Sequence, residues 1–324
     1  MRPDFKIVAN GTDITRLIAD RLVSLQVTDE RGDKSDTAVI EVDNRARLVA
    51  VPLTGAMLET WLGYRETGMA RLGVFTCDEI ELSGPPDMLT IEGKAADMGK
   101  SLKAPKTRSW DAMTLGGIVS TIAGEHGLAP KTAEALAATA YEHLDQTDES
   151  DLHFLTRLAR DLDAVAKPAN RHLLFVPRGE TKAASGALLT AVTVTPEDLA
   201  GTWRARFADR GKYTAVKAYW HDVEGAARKE VVAGSGTPVF TLRNPYSSES
   251  EAQAAAKAKL KALSRGTAVF EGEFQGRPEF AAEAPLQVQG FGAEADGSWV
   301  LTRVTHFYRE SSGYRCLIEA EQKG

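Results

Sequence analysis

Between residues 145 and 164 the chain reads DQTDESDLHFLTRLARDLDA, which sets Asp145, Asp148, Glu149 and Asp151 close to His153. Carboxylates and an imidazole at this spacing could move protons, hold a divalent cation or cut a glycosidic bond. Each chemistry makes a demand on the sequence. A metal helix of the HExxH kind needs a second histidine four residues on, and Arg157 stands there instead. A glycosidase needs two carboxyl groups flanking a cleft, whereas these crowd the start of a leucine-spaced segment. Helix entry accounts for the same residues. With Asp148 as N-cap, Glu149, Ser150 and Asp151 fill the first turn, where carboxylates accept orphan backbone N–H groups and oppose the positive end of the helix dipole. The helix then spans Asp148 to Leu162, its acids facing solvent or the backbone, so that Asp151→Asn costs far less than Leu155→Ala. Leu152, Leu155, Ala159 and Leu162 make its apolar stripe, Leu158 lies beside them, and Arg157 and Arg160 come late, where positive charge is favourable.

Other constellations are weaker. Gly116 and Gly117 sit among helix positions and belong to neither GxGxxG nor GxxxxGK[ST], so no phosphate cradle is expected. His221 and Asp222 are neighbours in an alternating run, and strand neighbours point to opposite faces, so they form no catalytic dyad. Cys77 and Cys316 are far apart and lack CxxC or Cys/His spacing, so free thiols are expected. No catalytic, cofactor-binding or metal-ligating residue is predicted, and no cofactor.

Composition narrows the function classes. The chain has 324 residues, 43% hydrophobic and 26% charged, enough for two or three domains, and its formal charge of −6 disfavours a surface built for nucleic acid or an anionic bilayer. The N-terminal MRPDFKIVANG has no apolar signal region, and nowhere do eighteen apolar residues run together, so no membrane-spanning segment is expected.

The elements that position these residues fall into three stretches. Residues 1–98 alternate in short strands separated by Gly, Pro and Asp, with Asn10-Gly11 as a tight turn and a hairpin around residues 31–36, and read as a small β-barrel-like domain. Residues 99–187 form a helical and mixed connector. Within it, Leu115, Ile118, Val119 and Ile122 share a helix face, Asp111 or Thr114 caps the start and Gly127 ends it, and AVAKPANRHLLFVPRGE reads as a hairpin. Residues 188–324 return to β pattern as a second barrel-like domain, interrupted by an Ala-rich helix at about 248–265, with Ser248 and Glu251 as a capping box and Gly266 past its end. The fold class is α+β, mainly β.

Residues 145–159 together with YTAVKAYWHD, AAAKAKLKALSRG and GSWVLTRVTHFYRESSGYRCLIEAE, and with PDFKIVANGTDIT, KSDTAVIEVDN and KTRSWDAMTLGGIVSTIAGEHGL further upstream, carry a resemblance over almost the whole chain. The sequence resembles the late control protein D family, the baseplate hub of contractile phage tails, related in fold to the hub region of VgrG spikes. The family pattern ESD-x-x-F-x-x-RL is matched by Glu149, Ser150, Asp151, Phe154, Arg157 and Leu158. The resemblance implies that this segment is a structural helix. It also implies a homotrimer of two barrel-like domains per chain, adapting a six-fold tail tube above to a three-fold spike protein below, with other baseplate proteins around it. One departure is Asp163-Ala164, where family members often carry Gly after the helix. Localisation would be the virion tail baseplate or a tail-like particle, after synthesis and assembly in the bacterial host cytoplasm. A tail-associated cell-wall hydrolase using Asp145, Asp148, Glu149 and Asp151 is the alternative. A DNA-binding regulator is disfavoured by the acidic balance and the lack of a basic recognition helix.

Overall fold

The computed structural model describes residues 1–31, 35–95, 101–169, 172–178, 189–208, 213–222, 225–265 and 268–322. Strand β1 (Pro3–Ala9) returns as β2 (Thr12–Asp13) through Asn10 and Gly11, whose φ of 47° and 81° are both left-handed, as a tight hairpin turn requires. After α1 (Thr15–Ile18), β3 (Leu22–Glu30) and β4 (Thr37–Asp43) pair antiparallel, and Ala38, Ile40 and Val42 of β4 are buried in strict alternation. Residues 32–34 of the expected loop lie outside the described residues. Strands β5 (Met57–Tyr64), β6 (Gly68–Ser83) and β7 (Met88–Ala95) complete the N-terminal set.

Next come β8 (Pro105–Thr114), α2 (Leu115–Glu125), β9 (Ala129–Thr132), α3 (Glu134–Ala137), β10 (Ala140–Ser150) and α4 (Asp151–Asp161). Thr114 caps α2 by accepting from the Gly117 N–H, and Gly127, at φ 66°, turns the chain away after it. The hairpin β11 (Ala164–Ala169) and β12 (His172–Pro177) follows, its turn residue Asn170 lying outside the described residues. Between α4 and β11, Asp163 takes the left-handed conformation, φ 51°, that favours the glycine of the family pattern. The remainder is β13 (Val192–Val194), β14 (Leu199–Phe207), β15 (Ala215–Asp222), β16 (Ala227–Gly234), β17 (Val239–Thr241), α5 (Glu249–Arg265), β18 (Ala268–Gln275), β19 (Pro285–Val288), β20 (Gly297–Arg309) and β21 (Gly313–Gln322). Ser248 caps α5 by accepting from the Glu251 N–H at 3.3 Å, while the Glu251 carboxylate takes the Ser247 hydroxyl, so the box is only half made. Gly266 lies outside the described residues.

The chain is α+β and mainly β, and among the described residues none of its sheets closes on itself. Its contacts divide it into two compact units that are discontinuous in sequence. The first takes Met1–Asp97, Thr190–Ala205 and Phe270–Ala320, the second Met98–Leu189 and Arg206–Val269 with the last four residues. Linear reading places residues 188–324 in one barrel-like domain. The contacts share that span between both units, because pairing is decided by edge complementarity across the fold and not by order along the chain.

In the first unit the strands run β14-β18-β21-β20-β3-β4-β7-β6-β5-β1-β2, with β13 and β19 branching at β20. The N-terminal and C-terminal strand sets, expected as separate barrel-like bodies, are thus hydrogen-bonded side by side. The seam is antiparallel, Thr28 opposite Thr305, and their buried hydroxyls meet at 3.3 Å. Joining β3 to β20 satisfies two edges that would otherwise face solvent. The core near this seam is aromatic, with Phe270, Phe274, Phe280 and Trp299 fully buried. Beside it, the His306 Nε2–H donates to the Phe280 carbonyl at 3.0 Å, so Nδ1 is the acceptor, 2.7 Å from the Tyr314 hydroxyl and 3.2 Å from Cys316 Sγ. Burial holds the His306 imidazole down at about 4, so it is neutral in the fold.

The second unit holds two cores. One packs α2 and α4 against β8, β10, β11 and β12, around Leu115, Ile118, Ile122, Phe154, Leu158 and Phe175. The other lays α5 on the sheet β16-β15-β17, where Val216, Ala218 and the half-buried Trp220 form one face of β15. The opposite face carries Lys217, Tyr219 and His221.

Candidate functional site

The acidic segment lies where β10 runs into α4. Strand β10 pairs antiparallel with β8, and the register slips between Gln146 and Glu149. Asp148, at φ 47°, occupies that bulge, so it cannot cap the helix. Ser150 does so, its Oγ accepting from the His153 N–H at 3.2 Å, and α4 begins at Asp151, so cap and first turn both lie two residues later than expected.

The shift turns Asp151 inward, contrary to the expectation that it faces solvent or the backbone. Its side chain is fully buried and receives four partners: Lys106 Nζ at 2.6 Å, Arg108 Nη2 at 2.6 Å, His126 Nε2 at 2.7 Å and Gln146 Nε2 at 2.8 Å. Burial alone would raise the Asp151 carboxyl, but the bonds from His126, Lys106 and Gln146 and the charge of Arg108 outweigh it and hold the group at about 2. Glu125, at the end of α2, closes the network by accepting from Lys106 at 2.8 Å and Arg108 at 2.6 Å, and these two cations hold its carboxyl below the usual range against the opposing effect of burial.

The remaining pattern residues secure the same corner. Arg157 grips Glu149 with Nη2 at 2.9 Å and Nε at 3.2 Å, and Nη2 also donates to the Asp145 carbonyl. Phe154 stacks on Trp110, and Arg108 lies over the Trp110 ring. Leu158 is 2% exposed in the core. Phe154 is therefore the centre of the buried helix face, with Leu155, Leu158 and Ala159, while Leu152 and Leu162 of the expected stripe are only partly buried. His153 is exposed and 3.0 Å from Glu149.

Two chemistries can be tested on this geometry. Ligand atoms of Glu125, His126 and Asp151 come within 4.8 Å of one another, a donor set that suits a divalent cation. Lys106 and Arg108, however, already bond both carboxylates from within the cluster, so protein cations take the place a metal would need. Hydrolysis fares no better. Asp145 is exposed and bonded to Ser109 at 2.9 Å and His143 at 3.2 Å, Asp148 sits in the bulge, Glu149 is held by Arg157 and Asp151 is sealed, so no two of the four flank a cleft. Asp222 pairs with Lys229 at 2.5 Å, away from any dyad with His221. Gly116 and Gly117 lie in the first turn of α2. Sequence reasoning missed Lys106, Arg108, Glu125, His126 and Gln146. The signal available was the period-two run Lys106, Arg108, Trp110, which marks one face of β8 as cationic and aromatic.

Residues 75–312, which contain this corner, match the family model of the phage tail baseplate hub (GPD). The chain belongs to that family. The "Probable baseplate hub protein" of Escherichia phage 186 is 34% identical over 100% of this chain and 94% of its own length. Among solved structures, the tail protein from Neisseria meningitidis MC58 superposes with a TM-score of 0.75 at 11% identity, covering 100% of this chain and 98% of that one. The E. coli c3393 protein, a type VI secretion component described as similar to the T4 tail proteins gp27 and gp5, gives 0.54 at 12% identity over 94% of this chain and 74% of that one. The hub is a structural component of the virion tail and not an enzyme. Its corner residues tie strands β8 and β10 to helix α4. None of its described helices is long and apolar enough to cross a membrane.

Proposed function

We propose that the hub works as a homotrimer on the tail axis, adapting a six-fold tail tube above to a three-fold spike protein below, with other baseplate proteins around it. The observation that supports this most directly is the pairing of β3 with β20, which sets an N-terminal and a C-terminal strand set next to each other within one unit. Three chains with two such sets each offer six comparable surfaces, and closed cyclic symmetry is the ordinary arrangement for such an assembly. In this reading residues 1–98 and parts of 188–324, namely Thr190–Ala205 and Phe270–Ala320, supply the alternating elements and 99–187 the connector. The motif Glu149, Ser150, Asp151, Phe154, Arg157 and Leu158 keeps the connector stiff, with no catalytic, cofactor or metal role. The fold shared with a type VI secretion component and with VgrG in its complex with PdpA supports a spike as the partner below. The acidic balance fits a part that binds no nucleic acid stably. Synthesis and assembly take place in the host cytoplasm, before the particle leaves it.

Counting chains around the axis in electron micrographs of purified tails tests the reading. Three chains and six similar lobes are expected. Six chains, or two strand sets that do not superpose, would overturn the symmetry-matching role.

A further inference from the structure

Among the open edges of the first unit's sheet, which include β13 and the β1–β2 end, two carry opposite charge. At one end of the strand order β14 pairs only with β18 among the described residues, and Gly201, Thr202, Trp203 and Arg204 are all exposed. The second open edge is on β6. Its first half pairs with β5 and its second half with β7, on opposite sides, and the last bonds on the β5 side are those of Cys77 with Gly55 and Ala56. From Asp78 to Ser83 that side has no strand among the described residues, and Asp78, Glu79, Glu81 and Leu82 are exposed.

An open edge is a row of backbone donors and acceptors that templates a strand from another chain. Charge selects which strand. The charged residues of β14 are Arg204, which also reaches Glu271 of β18, and Arg206, whereas the open part of β6 carries Asp78, which is paired with Lys94 of β7, and Glu79 and Glu81. Pairing either edge with its own copy sets like charges together, and pairing the unlike edges sets opposite charges together. Glu79 also lies directly opposite Glu92 of β7, with Lys94 near both, so the acidic edge is dense in carboxylates and an arriving arginine adds a further counter-charge. Each edge presents an apolar side chain for cover as well. Trp203 is 40% exposed although its ring stacks on Phe270 and meets Phe291 edge-on, and Leu82 is 61% exposed.

We infer that β14 of one copy adds to the 78–83 edge of β6 in the next copy, making the subunit seam of the hub. The contact joins two different surfaces head to tail, the kind that closes a ring. It rests on the trimer proposed above and assigns residues to its interface.

A cysteine register scan on the full chain tests it. Thr202→Cys is combined in turn with Glu79→Cys, Glu81→Cys and Ser83→Cys, and each double variant is mildly oxidised and run without reductant, beside a solution mass measurement. Native Cys77 and Cys316 are buried and give no background. Loss of the monomer band into dimer and trimer bands is expected for at least one double variant, with every single variant staying monomeric on the gel. A trimeric mass with no cross-link in any double variant sinks the seam and leaves the trimer standing. Single variants that cross-link to themselves sink the head-to-tail contact. A monomeric mass at all concentrations sinks both readings.

Discussion

Phe154 of α4 lies nearly parallel to Trp110 of β8, with ring centroids 5.9 Å apart and planes 9° from parallel. The Arg108 guanidinium rests 4.2 Å from the centroid of the same indole. One stack thus ties a strand, a helix and a charge cluster together. Phe154→Ala should destabilise the second unit by about 3–5 kcal/mol, the range for emptying an aromatic core site. Phe154→Leu should cost clearly less. Urea unfolding followed by circular dichroism measures both, and equal costs would show that the ring stack matters here and filled volume does not.

Asp151→Asn tests the buried network. The amide would leave Lys106 and Arg108 short of a counter-charge in a buried site, a loss of about 3–5 kcal/mol. That is comparable with about 2–5 kcal/mol for Leu155→Ala, which reverses the ranking expected of a solvent-facing first-turn acid. Asp148→Asn, in the exposed bulge, should change stability by less than about 0.5 kcal/mol. Chemical denaturation of the three variants side by side gives the order.

Acid should act on the two units in separate windows. His306 is held at about 4 in the fold against 6.5 unfolded, so the neutral ring is favoured by folding. Its contribution is whole above pH 6.5 and is lost as pH falls through 4, a change of about 3 kcal/mol. Asp151 stands at about 2 against 3.8, so its contribution is whole above pH 3.8 and is lost only as pH falls through 2. Denaturant midpoints between pH 7 and 4 should therefore fall for the first unit. In His306→Gln that slope should flatten, though the variant starts lower for want of its Tyr314 bond.

Cys77 and Cys316 are both buried free thiols. Burial pushes the Cys316 thiol up to about 12, and Cys77 is raised by the same cause. Iodoacetamide should label neither in the native protein at pH 8 and both in denaturant, read by mass spectrometry. Fast native labelling of Cys316 would mean that its strand opens far more readily than a core strand does.

Local signals were the legible part of this fold. Thr114, Ser248 and the spacing of Leu115, Ile118 and Ile122 announced α2 and α5, because caps and helix faces are written within a few residues. The start of α4 was misplaced since several acids compete for the capping position and only the β8–β10 bulge decides among them. Phe154 was overlooked within a leucine-spaced stripe because its neighbour Trp110 stands on another strand. The charge network could not be read at all from the segment, since Lys106 and Arg108 lie 45 and 43 residues from Asp151. The side-by-side strand sets were illegible for the same reason on a larger scale, Thr28 and Thr305 being 277 residues apart.

That last separation also bears on how the protein is made. The ribosome releases Thr28 of β3 277 residues before Thr305 of β20, so the N-terminal strands wait with an unfilled edge while Met98–Leu189 and Arg206–Val269 of the second unit are already made. A chain cut short before residue 297 lacks the strand that fills this edge and leaves β3 open along the seam. An edge left open in this way is a template for a strand of another chain, so such truncated products should aggregate.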